Sequence, residues 1–235
     1  MGIPERKERE KEARREEILN AAQKVFFEKG LAATTVDDIA QVAELSKGTL
    51  YLYYHSKEDL YLATAGRGMD IMYGMFERAV VASDDPISQI FNIGDAYYQF
   101  FQEQRDFFRM FYYFESPLFH AQISKDMMEQ CTLRDRKVWD LVASPVRRAI
   151  ETGLLKADLD PLEVGIMLWS NANGFFRLLD RNEQYWKERM GVDLLRTLRK
   201  SSSLLLEAML TDEGRRKHAN AQPYRESVVN KENVQ

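Results

Sequence analysis

The chain has 235 residues, a formal net charge of −4, 45% hydrophobic and 11% aromatic residues and one cysteine. That is enough material for one large core or two smaller ones, while the lone Cys131 excludes an internal disulfide and the charge gives no global reason to bind nucleic acid. A reducing, cytoplasmic setting is expected: residues 1–17 lack the apolar h-region of a signal peptide, and no stretch approaches the ~20 apolar residues of a membrane span.

Residues 5–17 mix six basic with six acidic side chains and offer no apolar face, the pattern of a solvated helical extension. From Arg14 to Lys29 the pattern becomes amphipathic, with Ile18, Ala21, Ala22, Val25 and Phe26 inward, and Gly30 is placed to end that helix as a C′ residue.

The stretch Thr35 to Lys57 reads TVDDIAQVAELSKGTLYLYYHSK. Val36, Ile39, Ala40 and Ala43 recur at i, i+3, i+4, i+7, and Thr35 with Asp38 predicts a capping box, so a helix begins at Val36. Glu44 and Leu45 make a tight turn, Ser46 caps a second helix, and Leu50 and Tyr54 anchor it inward. The spacing alone fits either a helix-turn-helix or a plain helical hairpin with a polar face. In the first reading Ser46, Lys47 and Thr49 reach phosphates and base edges, Gly48 permits close backbone approach, and Tyr51 and Tyr53 offer hydroxyls and ring edges. Ser56 then caps a third helix, whose first residue Lys57 carries a cation to N-terminal amides, a phosphate site. Residues 1–60 hold 10 Lys+Arg and 12 Asp+Glu, so any DNA-binding face depends on local cations, Lys47, His55 and Lys57 among them.

A helical pattern continues from Lys57 to about Ala82, past Gly66, Gly68 and Gly74. Proline at position 86 starts the next helix. Residues 91–119 concentrate nearly half of the chain's aromatic side chains in two helices joined near Arg105. Such a run lines a cavity or fills an ordinary aromatic core; as a cavity it gives Met72, Phe76, Phe101, Phe108, Phe111, Tyr112, Glu115, Trp169 and Asn173 as candidate effector-binding residues. An amphipathic segment from Gln122 to Thr152 contains Pro145, which predicts a kink near Leu141 to Ser144. The last two helices are expected at Pro161 to Asp180 and Val192 to Leu210. The first is apolar nearly all round, which calls for cover on two sides, and Ile166, Phe175, Leu194, Leu198, Leu205 and Met209 are the candidate dimerisation residues.

No catalytic or metal-binding constellation stands out. His55, His120 and His218 are far apart and form no HxxxH or HExxH pair, and Cys131 has no local activating group. Neither GxGxxG nor GxxxxGK[ST] occurs. No enzyme activity, cofactor or metal is expected.

T-x-x-x-I-A at 35–40, L-S-K-G-T-L-Y-x-Y-Y at 45–54 and S-K-E-D-L at 56–60 together resemble the DNA-binding signature of the TetR family of transcriptional regulators, including its place after one N-terminal helix. The close match covers about the first quarter of the chain. It implies an all-α fold, here of about nine helices, with an N-terminal arm and three-helix helix-turn-helix unit over 1–60 and a larger helical ligand-binding and dimerisation domain over 61–211; composition marks 212–235 as a polar tail expected to be disordered. Carried onto this sequence, the DNA-binding residues are Thr35, Ser46, Lys47, Gly48, Thr49, Tyr51, Tyr53, His55 and Lys57. The resemblance further implies a homodimer on a palindromic double-stranded operator, acting as a repressor that a small effector releases. The aromatic run makes that effector largely apolar. One departure is Glu44, where the family often has Gly; if the turn needs φ > 0, a non-Gly residue costs about 1 kcal/mol or more. The alternative from the same residues is a helical small-molecule-binding or protein-interaction module without DNA binding, which the acidic balance favours.

Overall fold

The computed structural model describes residues 3–112, 119 and 121–217. The described residues form nine helices: α1 (Ile3–Ala33), α2 (Val36–Val42), α3 (Lys47–Tyr51), α4 (Lys57–Val81), α5 (Pro86–Glu103), α6 (Arg105–Met110), α7 (Lys125–Glu151), α8 (Pro161–Arg189) and α9 (Leu194–Met209). They contain no strand, only an isolated bridge between Leu155 and Leu210, and none of their helices is long and apolar enough to cross a membrane. The fold is all-α, as expected. Two compact units are present, Met1–Tyr73 with Gln102–Arg136 and Gly74–Phe101 with Lys137–Gln235, and α4, α5 and α7 each contribute one part to each.

In the first unit the apolar stripe of α1 is buried through Ile18, Ala22, Val25 and Phe26. Residues 5–13, with no apolar stripe to bury, remain helical and exposed. Gly30, at φ 71, breaks α1 where it was expected to end, and one further turn leads to Ala33. Helix α4 is tied to α1 at two heights. Arg67 donates to Asn20 Oδ1 at 2.8 Å and pairs with Glu16 at 2.5 Å, while Lys57 Nζ donates to the carbonyls of Leu31 and Thr34, each at 2.9 Å. Between them Tyr61, fully buried, meets Phe26 edge-on at 5.0 Å and donates its hydroxyl to Met110 O. The start of α7 is held against the same helix: Ser124 N–H donates to the buried Asp59 carboxylate at 2.8 Å, and Ser56 Oγ to Gln122 O at 3.1 Å.

The second unit is built around a cluster that includes Ile87, Ile90, Val146, Ala149, Leu155, Val164, Leu206 and Leu210, drawn from α5, α7, α8, α9 and the segments beside them. The last turn of α4 is captured by α5: Asn92 Nδ2 donates to Ala79 O and the buried Gln89 amide to Val80 O, and Gln89 is itself bonded by Arg148. Helix α7 runs on through Pro145. Proline has no N–H for the carbonyl of Leu141, and the hydroxyl of Ser144 bonds that carbonyl instead at 3.1 Å. Helix α8 extends beyond the expected end at Asp180 to Arg189, with a non-helical residue, Asn182, inside it. Residues 212–217, which composition assigned to the tail, form a helical turn attached through Thr211, whose hydroxyl donates to Gly153 O at 2.6 Å.

Candidate nucleic-acid interface

Helix α2 begins at the predicted capping box. Thr35 Oγ1 accepts from Asp38 N–H at 3.1 Å, and the Asp38 carboxylate accepts from Thr35 N–H at 2.9 Å. Lys29 of α1 donates to the same carboxylate at 2.7 Å. That hydrogen bond, with those from Thr35, lowers the Asp38 pKa from 3.8 to about 2. Val36, Ile39 and Ala40 point into the unit.

The turn after α2 closes as a Schellman motif. Leu45 N–H donates to Ala40 O at 3.0 Å and Glu44 N–H to Gln41 O at 3.2 Å, which puts Glu44 at C′ with φ 53. It is the one non-glycine residue at positive φ among the described residues. Gly153 occupies the corresponding position after α7, with the same pair of bonds from Leu154 to Ala149 and from Gly153 to Ile150.

Ser46 caps α3 as predicted, its Oγ accepting from Thr49 N–H at 3.1 Å and lying 2.8 Å from Thr49 Oγ1. Leu50 and Tyr54 are buried beneath the helix. Burial pushes the Tyr54 phenol up to about 12, against the opposing influence of Arg15 and Arg67, so it is a neutral anchor. With the helix fixed from below, Lys47, Gly48 and Tyr51 are exposed, as are His55 beyond it and Thr35 at the start of α2; Thr49 and Tyr53 are half-buried. The structure therefore brings the expected DNA-facing residues to α3 and its two flanks, except Lys57. Its ammonium turns back onto the Leu31 and Thr34 carbonyls, a cation at the end of α1 in place of one held out toward phosphate.

Two residues of this surface were not singled out in the sequence. Leu52 is 81% exposed at the end of α3. The signal lies in the anchors: a residue midway between Leu50 and Tyr54 in sequence projects from the opposite side of a helix. Asp37 is exposed on α2 and accepts from Lys47 Nζ at 2.8 Å, a hydrogen bond that raises the Lys47 pKa.

The candidate effector residues divide between the units. Met72, Phe108, Phe111 and Tyr112 belong to the first, where Phe108 is buried and meets Tyr112 edge-on at 5.3 Å. Phe76, Phe101, Trp169 and Asn173 belong to the second. There Phe101 stacks on Phe176 at 4.8 Å, Tyr97 lies against both Phe76 and Phe176, and the Tyr97 hydroxyl donates to Asn173 Oδ1 at 2.8 Å. Trp169 is instead 40% exposed, edge-on to Trp139. Glu115 and His120 lie outside the described residues. Of the candidate dimerisation residues Ile166 is exposed and Phe175 and Leu205 are half-buried, whereas Leu194, Leu198 and Met209 turn inward and are buried in their own unit. The exposed large apolar side chains of these two helices are Leu162, Ile166, Met167, Trp169, Leu178 and Tyr185 on α8 and Leu204 on α9. Among the described residues no group of His, Cys, Asp and Glu is arranged to hold a metal ion.

Residues 18–64, spanning the core face of α1, helices α2 and α3 and the first turns of α4, match the family model of bacterial regulatory proteins, tetR family. The transcriptional activator FasR of Mycolicibacterium smegmatis is 29% identical over 159 residues, 64% of this chain and 71% of that protein. The transcriptional repressor KstR2 of the same organism is 26% identical over 148 residues, 63% of this chain and 70% of that one. The fold is also that of FadR from Bacillus subtilis, solved in complex with stearoyl-CoA, with a TM-score of 0.59 and 17% identity over 81% of this chain and 96% of FadR. The signature residues, the helix-turn-helix they build and the regulators that this chain resembles agree in marking residues 18–64 as a helix-turn-helix region of the TetR family of transcriptional regulators.

Proposed function

We propose that the protein is a ligand-responsive repressor that binds a palindromic operator as a homodimer and is released by a small, largely apolar effector. The observation that carries this reading is the mounting of α3: Leu50 and Tyr54 fix it from beneath while Lys47, Gly48, Tyr51 and Leu52 face outward. Lys47 and the α2 start at Thr35 suit phosphates, Tyr51 and Tyr53 suit phosphates and base edges, and Leu52 suits a thymine methyl. Ser46 and Thr49 position the helix through their cap, and His55 flanks it. In a dimer two such helices dock in successive major grooves about 34 Å apart. The exposed apolar side chains of α8, with Leu204 of α9, support a four-helix bundle between protomers. Ile166 belongs to that bundle and the buried Leu194, Leu198 and Met209 do not.

Control is proposed to run through α4, which is tied to α1 in the first unit and to α5 in the second. An effector that prefers one position of α4 weakens operator affinity, and operator weakens effector binding by the same factor. The solved FadR neighbour holds stearoyl-CoA, and the aromatic cluster of Phe76, Tyr97, Phe101 and Phe176, buried in the second unit, is an apolar interior into which an acyl chain would pack. The effector class proposed is an acyl chain, free or as a CoA thioester. Titrating a preformed protein–operator complex with fatty acids and acyl-CoA thioesters tests this. Release that depends on chain length is expected; no release across the series would remove the effector class and leave DNA binding standing. Tyr51→Ala and Leu52→Ala should each alter operator preference with thermal stability intact, and unchanged preference in both would remove α3 as the reading helix.

A further inference from the structure

The stretch Thr35 to Lys57 carries two lysines, and neither ammonium is free. Lys57 is bound to the carbonyls of Leu31 and Thr34. Lys47, at the first position of α3, is held by the carboxylate of Asp37 on α2 at 2.8 Å, and both side chains of that pair are exposed. The neighbouring carboxylate, Asp38, takes Lys29. Each aspartate of the first turn of α2 thus neutralises one lysine.

Resting on the DNA-binding reading above, we infer that Asp37 is a positioning residue that sets the salt dependence of DNA binding: it occupies Lys47 until a phosphate fixed by correct docking replaces it. Binding to arbitrary DNA is driven by cations that displace condensed counterions, and each such contact steepens the salt dependence. In a loose, hydrated complex no phosphate is fixed opposite Lys47, and the ammonium stays on Asp37. In the specific complex the reading helix is seated, a phosphate is fixed opposite Lys47, and the ammonium exchanges one anion for another. Because exposed ion pairs of this kind are weak, worth up to about fivefold in an equilibrium constant, the exchange is readily reversible. The carboxylate therefore keeps one cation out of the salt-dependent contacts made with wrong sequences, and displacing it costs the right sequence up to about fivefold in affinity.

The test compares wild type, Asp37→Asn, Lys47→Gln and the double variant. Each is titrated by fluorescence anisotropy against the duplex that wild type selects from a random library and against a scrambled duplex of the same composition, over roughly 50–200 mM salt. Asp37→Asn is expected to bind the selected duplex up to about fivefold more tightly with its log–log salt slope unchanged, and to steepen the slope on the scrambled duplex by up to about 0.9, one phosphate contact. In the Lys47→Gln background the same substitution should leave both slopes where they were. Unchanged slopes on both duplexes, equal steepening on both, or an effect that persists without Lys47 would each overturn the inference. If wild type selects no sequence, the DNA-binding reading itself fails, a result distinct from selection that Asp37→Asn does not alter.

Discussion

The ammonium of Lys57 donates to the carbonyl oxygen of Thr34 at 2.9 Å, at the junction where α1 gives way to α2. Leu31 O accepts a second bond from the same nitrogen at 2.9 Å, so one side chain of α4 satisfies two carbonyls that a broken helix end leaves without amide partners. Hydrogen bonds to a charged group contribute more than neutral ones, and with partial exposure taken into account the pair is worth about 1–2 kcal/mol. Lys57→Met, which keeps the apolar stem, should lower the melting temperature by about 2–8 °C and leave the salt slope of operator binding unchanged. A slope flattened by about 0.9 at constant stability would instead place the ammonium on a phosphate.

Glu44 bears the strain that the turn between α2 and α3 requires. At φ 53 its Cβ is crowded by its own backbone, and the Schellman bonds from Glu44 and Leu45 hold it there. Glu44→Gly relieves the strain, less the extra freedom glycine gives the unfolded chain. A gain of about 0.5–1 kcal/mol in denaturant unfolding is expected. A loss of stability would mean that the Glu44 side chain makes a compensating contact.

Acid should uncap α2. The Asp38 carboxyl is lowered from 3.8 to about 2 by Lys29 and Thr35, so its contribution is fully present above its unfolded pKa and disappears as pH falls through about 2. Asp38→Asn is then less stable than wild type near neutrality, and the gap closes between about pH 4 and pH 2. Carboxyl NMR titration of Asp38 should place its midpoint near 2. A midpoint at the ordinary value would show that the capping box and the Lys29 contact do not persist in solution.

Two glycines of α4 should respond oppositely to alanine. A Cβ at Gly68 would lie 2.8 Å from Phe107, a buried ring wedged edge-on against Phe27, whereas one at Gly66 meets only the end of the Arg134 side chain at 3.2 Å. Gly68→Ala should cost about 1–3 kcal/mol through overpacking. Gly66→Ala should be neutral or stabilising by up to about 1 kcal/mol, because alanine favours the helix and the arginine tip can move aside. Thermal melts of the two variants check the contrast, and equal destabilisation would contradict it.

The sequence was legible where the cause is local. The capping box of Thr35 and Asp38, the cap at Ser46, the break at Gly30 and the inward anchors Leu50 and Tyr54 all follow from residue type and spacing within one turn or two. What could not be read depends on partners distant in sequence. The stem of Lys57 permits either a phosphate or a carbonyl, and only the nearness of Leu31 and Thr34 decides between them. Helix α9 has apolar residues on more than one stripe; Leu194, Leu198, Leu206 and Met209 face inward because the partners available to them are the unit's own core, leaving Leu204 outside. The candidate interface was thus found by pattern, and its electrostatics only by structure: Asp37 and Lys47 are ten residues apart and meet across the turn.

The central claim is that α3 reads DNA sequence on behalf of a dimer. Selection of bound duplexes from a random library by the folded protein, followed by sizing of the complex on the winning sequence, tests it most directly. The account predicts enrichment of a palindrome whose half-sites lie about one helical turn, ~34 Å, apart, with two protomers on each duplex. A folded protein that enriches no sequence would contradict it.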